Sequence, residues 1–287
     1  MTRVLVPTVI DDIRCYSPNV AEAYDDYPEE GFAKTEEAVR SSFWVRSRNR
    51  LFKQLISRHN NFGQIPRFLE IGCGTGNFVG ELVEDVALKA TASEVYIGGL
   101  RYARNNHPNI DFVQYDVTQG IIGDGFDIIA SFDVFEHIDD DVTAIRNVYE
   151  MLNDDGFFVI SVPQHQILWS RLDEIVKHKR RYSRKDLVGK LSAAGFEVTY
   201  VGSFVFMLFP LMLLARLMDR SKEAPIEAAD DALQERVEFH PLINFVFDKI
   251  MRVDELMISI GLSLPFGGTL FAIARKSSAG YKARQTG

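Results

Sequence analysis

Two carboxylates and three glycines stand in the order and spacing of a ligand site: Glu70, then Gly72, Gly74 and Gly76, then Asn77 and, 18 residues beyond Gly76, Glu94. The segment Gly72-Cys73-Gly74-Thr75-Gly76 follows the apolar run 67–71 and precedes a helical pattern that opens near Asn77. Glycines there permit a tight strand-to-helix turn and let a ligand lie against the main chain where a Cβ would exclude it. The spacing departs from the dinucleotide fingerprint G-x-G-x-x-G, because the third glycine comes one residue early. Glu70 would also repel a pyrophosphate seated on the helix N-terminus, and it suits a cation. Glu94 closes the next apolar run, where nucleotide-binding sheets place the acid that accepts hydrogen bonds from ribose hydroxyls. A nucleoside that carries positive charge and no phosphates satisfies both acids.

The elements that must hold these groups alternate along the chain. Apolar runs at 67–71, 90–94, 112–115, 126–131 and 156–162 are separated by helical stretches, and they read as strands buried on both faces of a parallel, doubly wound sheet. Val142, Ile145, Val148, Met151 and Leu152 recur at helical spacing, and Asn153-Asp154-Asp155-Gly156 supplies a turn into the next strand. Ahead of the block, Phe43, Trp44, Leu51, Phe52, Leu55 and Ile56 mark an amphipathic helix whose other face carries Arg46, Arg48, Arg50 and Lys53. Residues 1–41, with Pro7, Pro18, Pro28 and the acids Asp25, Asp26, Glu29 and Glu30, read as an irregular arm with one short helix. Residues 198–215 hold no charge and begin like a strand, but Thr199, Gly202, Ser203 and Pro210 interrupt them, and their length sits at the lower edge of the ~17–25 residues of a spanning helix. An acidic linker, 221–238, and a helical pattern at 243–260 follow, then a closing strand at 268–274. The helical insertion 206–262 is therefore expected to form a lid, and 277–287 a flexible tail.

With 287 residues, 46% apolar and 25% charged, the composition is that of a soluble globular chain. The 40 acids against 32 bases leave a net charge of −8, which repels phosphate backbones and argues against a nucleic-acid partner. Two cysteines, Cys15 and Cys73, are too few for a disulfide framework, and the N-terminus lacks a secretory pattern, so a cytoplasmic location is expected.

The motifs together resemble the class I S-adenosylmethionine-dependent methyltransferases over about residues 42–276. The resemblance implies a Rossmann-like, mostly parallel seven-stranded sheet with an N-terminal helical arm and a helical insertion before the last strand. It implies S-adenosyl-L-methionine as cofactor, held by the glycine motif from Glu70 to Asn77 including Cys73, by Glu94 at the ribose, and by Asp116 with Val117 in Val113-Gln-Tyr-Asp-Val-Thr-Gln119 at the adenine. Phe132 and Asp133 would lie beside the methionine portion. Phe43-Trp44-Val45-Arg46-Ser47-Arg48-Asn49 and the segment with Trp169, Asp173, His178, Arg181 and Tyr182 are similar to a less characterised branch, which adds Trp44 and Arg48 to the cofactor contacts. The phrase Asp133-Val-x-Glu136-His137 looks like the subgroup that includes ubiquinone-biosynthesis O-methyltransferases.

If the acceptor is a hydroxyl, a base assists, and histidine is the side chain that titrates near neutrality. His137 is the first candidate, His165 and His178 the next, with Tyr182 as orienting partner. No metal is expected, since Asp133, Glu136 and His137 do not converge on one point without further ligands. The run from Lys177 to Arg181 reads either as a solvated face or as a grip on an anionic group. The apolar stretches 204–217 and 243–260 read as lid core, with a lipid-linked substrate or peripheral membrane contact as the alternative. Rival functions are a nicotinamide-dependent oxidoreductase and a non-catalytic relative that keeps the nucleoside site.

Overall fold

The alternating apolar runs form one sheet. The computed structural model describes residues 2–21, 41–219 and 239–277. Its strands are β1 (Thr8–Ile10), β2 (Ile13–Cys15), β3 (Arg67–Ile71), β4 (Lys89–Glu94), β5 (Asp111–Gln114), β6 (Phe126–Phe132), β7 (Leu152–Pro163), β8 (Glu197–Phe204) and β9 (Thr269–Arg275). They line up as β1-β2-β5-β4-β3-β6-β7-β9-β8. The pairs from β2 through β7 are parallel, whereas β1 runs antiparallel to β2, and β9 antiparallel to both β7 and β8. Every residue of β6 is buried, as a strand covered on both faces requires. Successive residues serve opposite cores: Phe68 and Ile128 pack on one side of the sheet, Leu69 and Ile129 on the other.

The sheet has nine mixed strands where seven, mostly parallel, were expected. The expected seven are β3 to β9, and the surplus comes from the N-terminal segment read as irregular. Asp11 and Asp12 both have positive φ, 49° and 60°, and form the two-residue turn that joins β1 to β2. Such turns need left-handed backbone at both positions, which Asp tolerates better than most side chains. Strands of three residues leave no periodic signal, which is why the hairpin escapes a reading of pattern. The short helix α1 (Pro18–Ala21) follows it. The acids Asp25, Asp26, Glu29 and Glu30, the linker 221–238 and residues 278–287 lie outside the described residues. The Asn153–Gly156 turn is a bulge inside β7: Phe126 pairs with Leu152 but Ile128 with Phe157, and Asp155 absorbs the slip at φ 65°.

The helices that matter to the site are α2 (Phe43–His59), α3 (Asn77–Asp85), α4 (Ile97–Asn106), α5 (Asp141–Met151), α6 (Arg171–Ile175), α7 (Arg184–Ala194), α8 (Phe209–Asp219) and α9 (Pro241–Ser259). Pro210 sits in the first turn of α8, where a missing N–H costs nothing. Among the described residues no helix is long and apolar enough to cross a membrane. The insertion between β8 and β9 folds back on α2. The Phe43 ring meets Phe239 and Phe247 edge-on, and its N–H donates to Asn244 Oδ1 at 2.7 Å. The face that carries Arg46, Arg48, Arg50 and Lys53 is largely covered. Arg50 donates to both Glu255 oxygens at 3.0 and 2.6 Å and pairs with Asp248 at 2.9 Å, while Lys53 pairs with Glu81 and Asp85. Asp254, fully buried, accepts the N–H groups of Phe206 and Met207 and so fixes the entry into α8.

Arg50→Ala strips the counter-charge from Glu255 and the nearest one from Asp248, which keeps Arg46 at 3.5 Å and Arg252 at 3.8 Å. A loss of about 1–3 kcal/mol is expected, read as a lower urea midpoint at unchanged slope; an unchanged midpoint would mean that this bridge does not hold the insertion down.

Candidate active site

Glu70 ends up at the C-terminal end of β3, where the strand order reverses between β4 and β6, which is where open α/β sheets form their ligand crevice. The turn after it is clamped from beneath: the N–H groups of Gly72 and Cys73 both donate to Ser93 O, at 2.8 and 2.9 Å. Gly72 needs to be glycine, because at φ 75° an added Cβ would stand 2.2 Å from Val134 Cγ2. Gly74, at φ 54°, has no heavy atom within 4 Å of that position, so the main chain there is open to a ligand. Gly76 caps α3 in left-handed geometry. The Cys73 thiol is buried, and burial pushes its pKa up, which makes it a packing group and no nucleophile.

The two acids are placed differently. Glu70 is 3% exposed, and its Oε2 is buried without a hydrogen-bond partner. Burial raises its pKa to about 8 against the pull of Arg48 and the Val79 N–H. Glu94 accepts the N–H of Gly74 at 3.0 Å and of Val95 at 2.7 Å; burial raises its pKa while those donors oppose the rise. It thus ties the glycine turn to the end of β4. Asp116 accepts from the Thr118 N–H and hydroxyl at 2.9 and 2.8 Å, which shapes the turn after β5, and Val117 is buried beside it.

On the other side of Glu70, α2 reaches in. Arg48 lies over the Trp44 ring at 5.0 Å and pairs with Asp133 at 3.2 Å. Asp133 has φ 56° at the end of β6, and the Ser161 hydroxyl donates to its other oxygen at 3.3 Å. Asn49, fully buried, donates to Asn77 Oδ1 at 2.9 Å and to Glu81 at 3.0 Å, which stitches α2 to the start of α3. Phe132 stacks on Phe52 with centroids 4.3 Å apart. The structure therefore brings Trp44, Arg48, Glu70, Cys73, Asn77, Phe132 and Asp133 into one neighbourhood, with Glu94 and Asp116 at the ends of the adjacent strands. Asn49 and Ser161 are the residues that motif spacing misses. Asn49 was detectable as the polar residue on an apolar helix face, three before Phe52.

The three histidines do not share one place. His137 and His178 meet edge-on with ring centroids 4.7 Å apart. His178 Nδ1 lies 2.8 Å from Asp173 Oδ1, and its Nε2 lies 3.7 Å from Glu136 Oε1. Desolvation and the neighbouring His178 lower the His137 pKa to about 4, so its ring is neutral at physiological pH. Burial and the Asp133 charge push Glu136 well up. Burial also works on Asp173, but hydrogen bonds from His178 and Arg181 outweigh it and hold that carboxyl below its usual range. His165 is at φ 62°, with its ring 5.8 Å from that of Phe209 at the start of α8, and burial and Arg181 lower its pKa. Tyr182 is buried, and its hydroxyl donates to Asp141 at 2.6 Å and lies 3.1 Å from Phe135 O, so it braces the turn that carries His137. The basic run is neither a free face nor an open grip: Lys179 and Arg180 pair with Asp139 and Asp141, and Arg181 grips both oxygens of Asp173.

The chain matches the family model described as a methyltransferase domain over residues 37–201. It is 25% identical over 163 residues to a protein of Mycolicibacterium smegmatis named a probable S-adenosylmethionine-dependent methyltransferase, which covers 56% of this chain and 62% of that one. A Mycobacterium tuberculosis protein with the same kind of name is 24% identical over 167 residues, covering 57% and 59%. The matched stretch thus spans about 60% of the length of these curated relatives. Among solved structures, Haemonchus contortus phosphoethanolamine N-methyltransferase 2 in complex with S-adenosyl-L-methionine superposes with a TM-score of 0.58 at 15% identity, covering 90% of this chain and 60% of that one. The [4+2]-cyclase SpnF superposes with a TM-score of 0.55 at 18% identity, covering 82% of each. At such identities the likeness is one of fold.

Because the folded pKa of Glu70 lies above its ordinary 4.5, the folded state holds a proton that the unfolded state gives up between about pH 4.5 and 8, and stability falls as pH rises through that window. Glu70→Gln removes this loss. The variant is expected to gain on the wild type progressively from pH 5 to 8.5 in chemical denaturation; parallel pH profiles would contradict the buried, protonated Glu70.

Proposed function

The chain belongs to the class I S-adenosylmethionine-dependent methyltransferases, and from that membership we propose that it transfers a methyl group to a small-molecule acceptor, with its cofactor seated across the glycine turn. The observation that carries the assignment of the seat is the pairing of an unpartnered, buried carboxylate at Glu70 with open main chain at Gly74. A cation compensates the first, and a flat nucleoside fits the second. When bound, S-adenosylmethionine supplies an electrophilic methyl and its own leaving group.

The protein's part is therefore placement. Glu70, ionised by the approach of a cation, faces the charged end of the cofactor; Glu94 turns an oxygen to the ribose hydroxyls, and Asp116 with Val117 borders the adenine. Arg48, held by Trp44 and Asp133, takes the carboxylate end, and Phe132 walls the methionine portion. The acceptor approaches from the side of the histidines and of the helices α8 and α9, which would close over it and exclude water. For a hydroxyl acceptor the neutral His137 receives the proton, with His165 and His178 next in reach of that side. The exposed Leu211, Leu214, Met218, Phe245 and Leu256 support an apolar or lipid-linked acceptor and peripheral contact with a membrane surface.

Glu94→Ala is expected to weaken S-adenosylmethionine binding by about 1–3 kcal/mol, roughly 5- to 150-fold in Kd by calorimetry. Unchanged affinity would remove Glu94 from the ribose. Transfer of labelled methyl from the cofactor to an acceptor is the accompanying measurement, and it should fail in the same variant at cofactor levels that saturate the wild type.

A further inference from the structure

Three donor side chains outside the cofactor seat converge on one point. The carboxylate of Glu136 and ring nitrogens of His137 and His178 lie within 4.8 Å of one another. The set considered from sequence, Asp133 with Glu136 and His137, fails because Asp133 is taken by Arg48 and Ser161. The missing donor is His178, carried in by the loop after α6.

We infer that Glu136, His137 and His178 bind a divalent transition-metal ion of the zinc type, with an open coordination position toward the acceptor side. Zinc bound at about 2.1 Å holds tetrahedral ligands roughly 3.4 Å apart. Glu136 Oε1 and His178 Nε2 stand 3.7 Å apart, so small side-chain movements complete the geometry. The His178 imidazole is oriented from behind, as metal-bound histidines are. His178 Nδ1 faces Asp173, which Arg181 and the Ser170 N–H lock in place, and this leaves Nε2 as the ring nitrogen that faces Glu136. A ring nitrogen of His137 lies within 4.8 Å of ligand atoms on both Glu136 and His178. Glu136 is 1% exposed, and its Oε2 has no hydrogen-bond partner. A carboxylate buried in this way, with Asp133 and Asp173 nearby and Arg181 already committed, lacks a cation.

The donor set of two imidazoles and one carboxylate favours zinc, iron, cobalt or nickel over magnesium and calcium, which prefer all-oxygen shells. His137 is exposed, which gives the ion a way in. That the open position takes an oxygen of the acceptor rests on the methyltransferase reading, and it replaces the role of His137 as base, since a metal-bound ring has no lone pair left for the proton; the metal site itself does not rest on that reading.

The test uses the full chain stripped with a chelator and then titrated with ZnCl2 and, separately, CoCl2, with bound metal counted by mass spectrometry after desalting and the cobalt form followed by its visible absorption. The wild type is expected to take up one equivalent, and His137→Gln and Glu136→Gln to weaken uptake at least on the order of 100-fold, the upper end of what loss of an outer partner alone costs. Circular dichroism of each variant shows whether it is folded, and His137, being exposed, keeps the comparison valid if Glu136→Gln does not fold. Equal uptake by wild type and His137→Gln, or no stoichiometric uptake by the wild type, overturns the site. S-adenosylmethionine affinity is measured separately on the same samples. Metal uptake without cofactor binding would sink the functional reading and leave this one standing, and the reverse pattern would do the opposite.

Discussion

A carboxylate held out of water beneath a glycine turn is the constraint around which the remaining parts are arranged. Burial lifts the pKa of Glu70 to about 8 even against the pull of Arg48 and the Val79 N–H, so a cation must approach for it to ionise at neutral pH. Its position follows from topology: β3 is the strand at which the sheet reverses order, so its last residues face a crevice on both flanks. The glycines follow because the chain must turn sharply over that acid, and because Val134 leaves no room for a Cβ at Gly72. The cost in stability of a buried acid is consistent with a place kept for a charged ligand.

The helix α2 ties this seat to the rest of the molecule. Its inward face supplies Phe52 to the core, Asn49 to the junction with α3 and Arg48 to Asp133, while its outward face anchors the insertion through Arg50. One helix thus touches both the proposed cofactor seat and the insertion between β8 and β9. The Tyr182–Asp141 and Arg181–Asp173 contacts do the equivalent for the histidine side: they fix the turn after β6 against the loop after α6. That is why two histidines separated by 41 positions face each other.

Much of this was legible in the sequence, and what was not shares a cause. Strands β3 to β7 announce themselves by apolar runs, and the Gly72–Gly76 turn by composition, because burial on two faces and left-handed backbone leave local marks. The β1–β2 hairpin leaves almost none: its strands are three residues long and its turn uses Asp-Asp. Long-range polar contacts leave none either. Nothing in the sequence near Glu136 indicates that His178 will stand against it, or that His178, Lys179, Arg180 and Arg181 will pair with Asp139, Asp141 and Asp173. The Phe204–Leu217 stretch shows the opposite failure, a strong local signal of apolarity whose meaning depends on what packs over it.

The kind of ligand that the glycine turn accepts decides the function. Calorimetric titration with S-adenosylmethionine and with NAD, each at pH 7 in two buffers of different ionisation enthalpy, addresses it directly. S-adenosylmethionine is predicted to bind and to expel a fraction of a proton as Glu70 ionises against the incoming cation, while NAD shows no measurable heat of binding. Tight NAD binding with no response to S-adenosylmethionine would contradict the central claim.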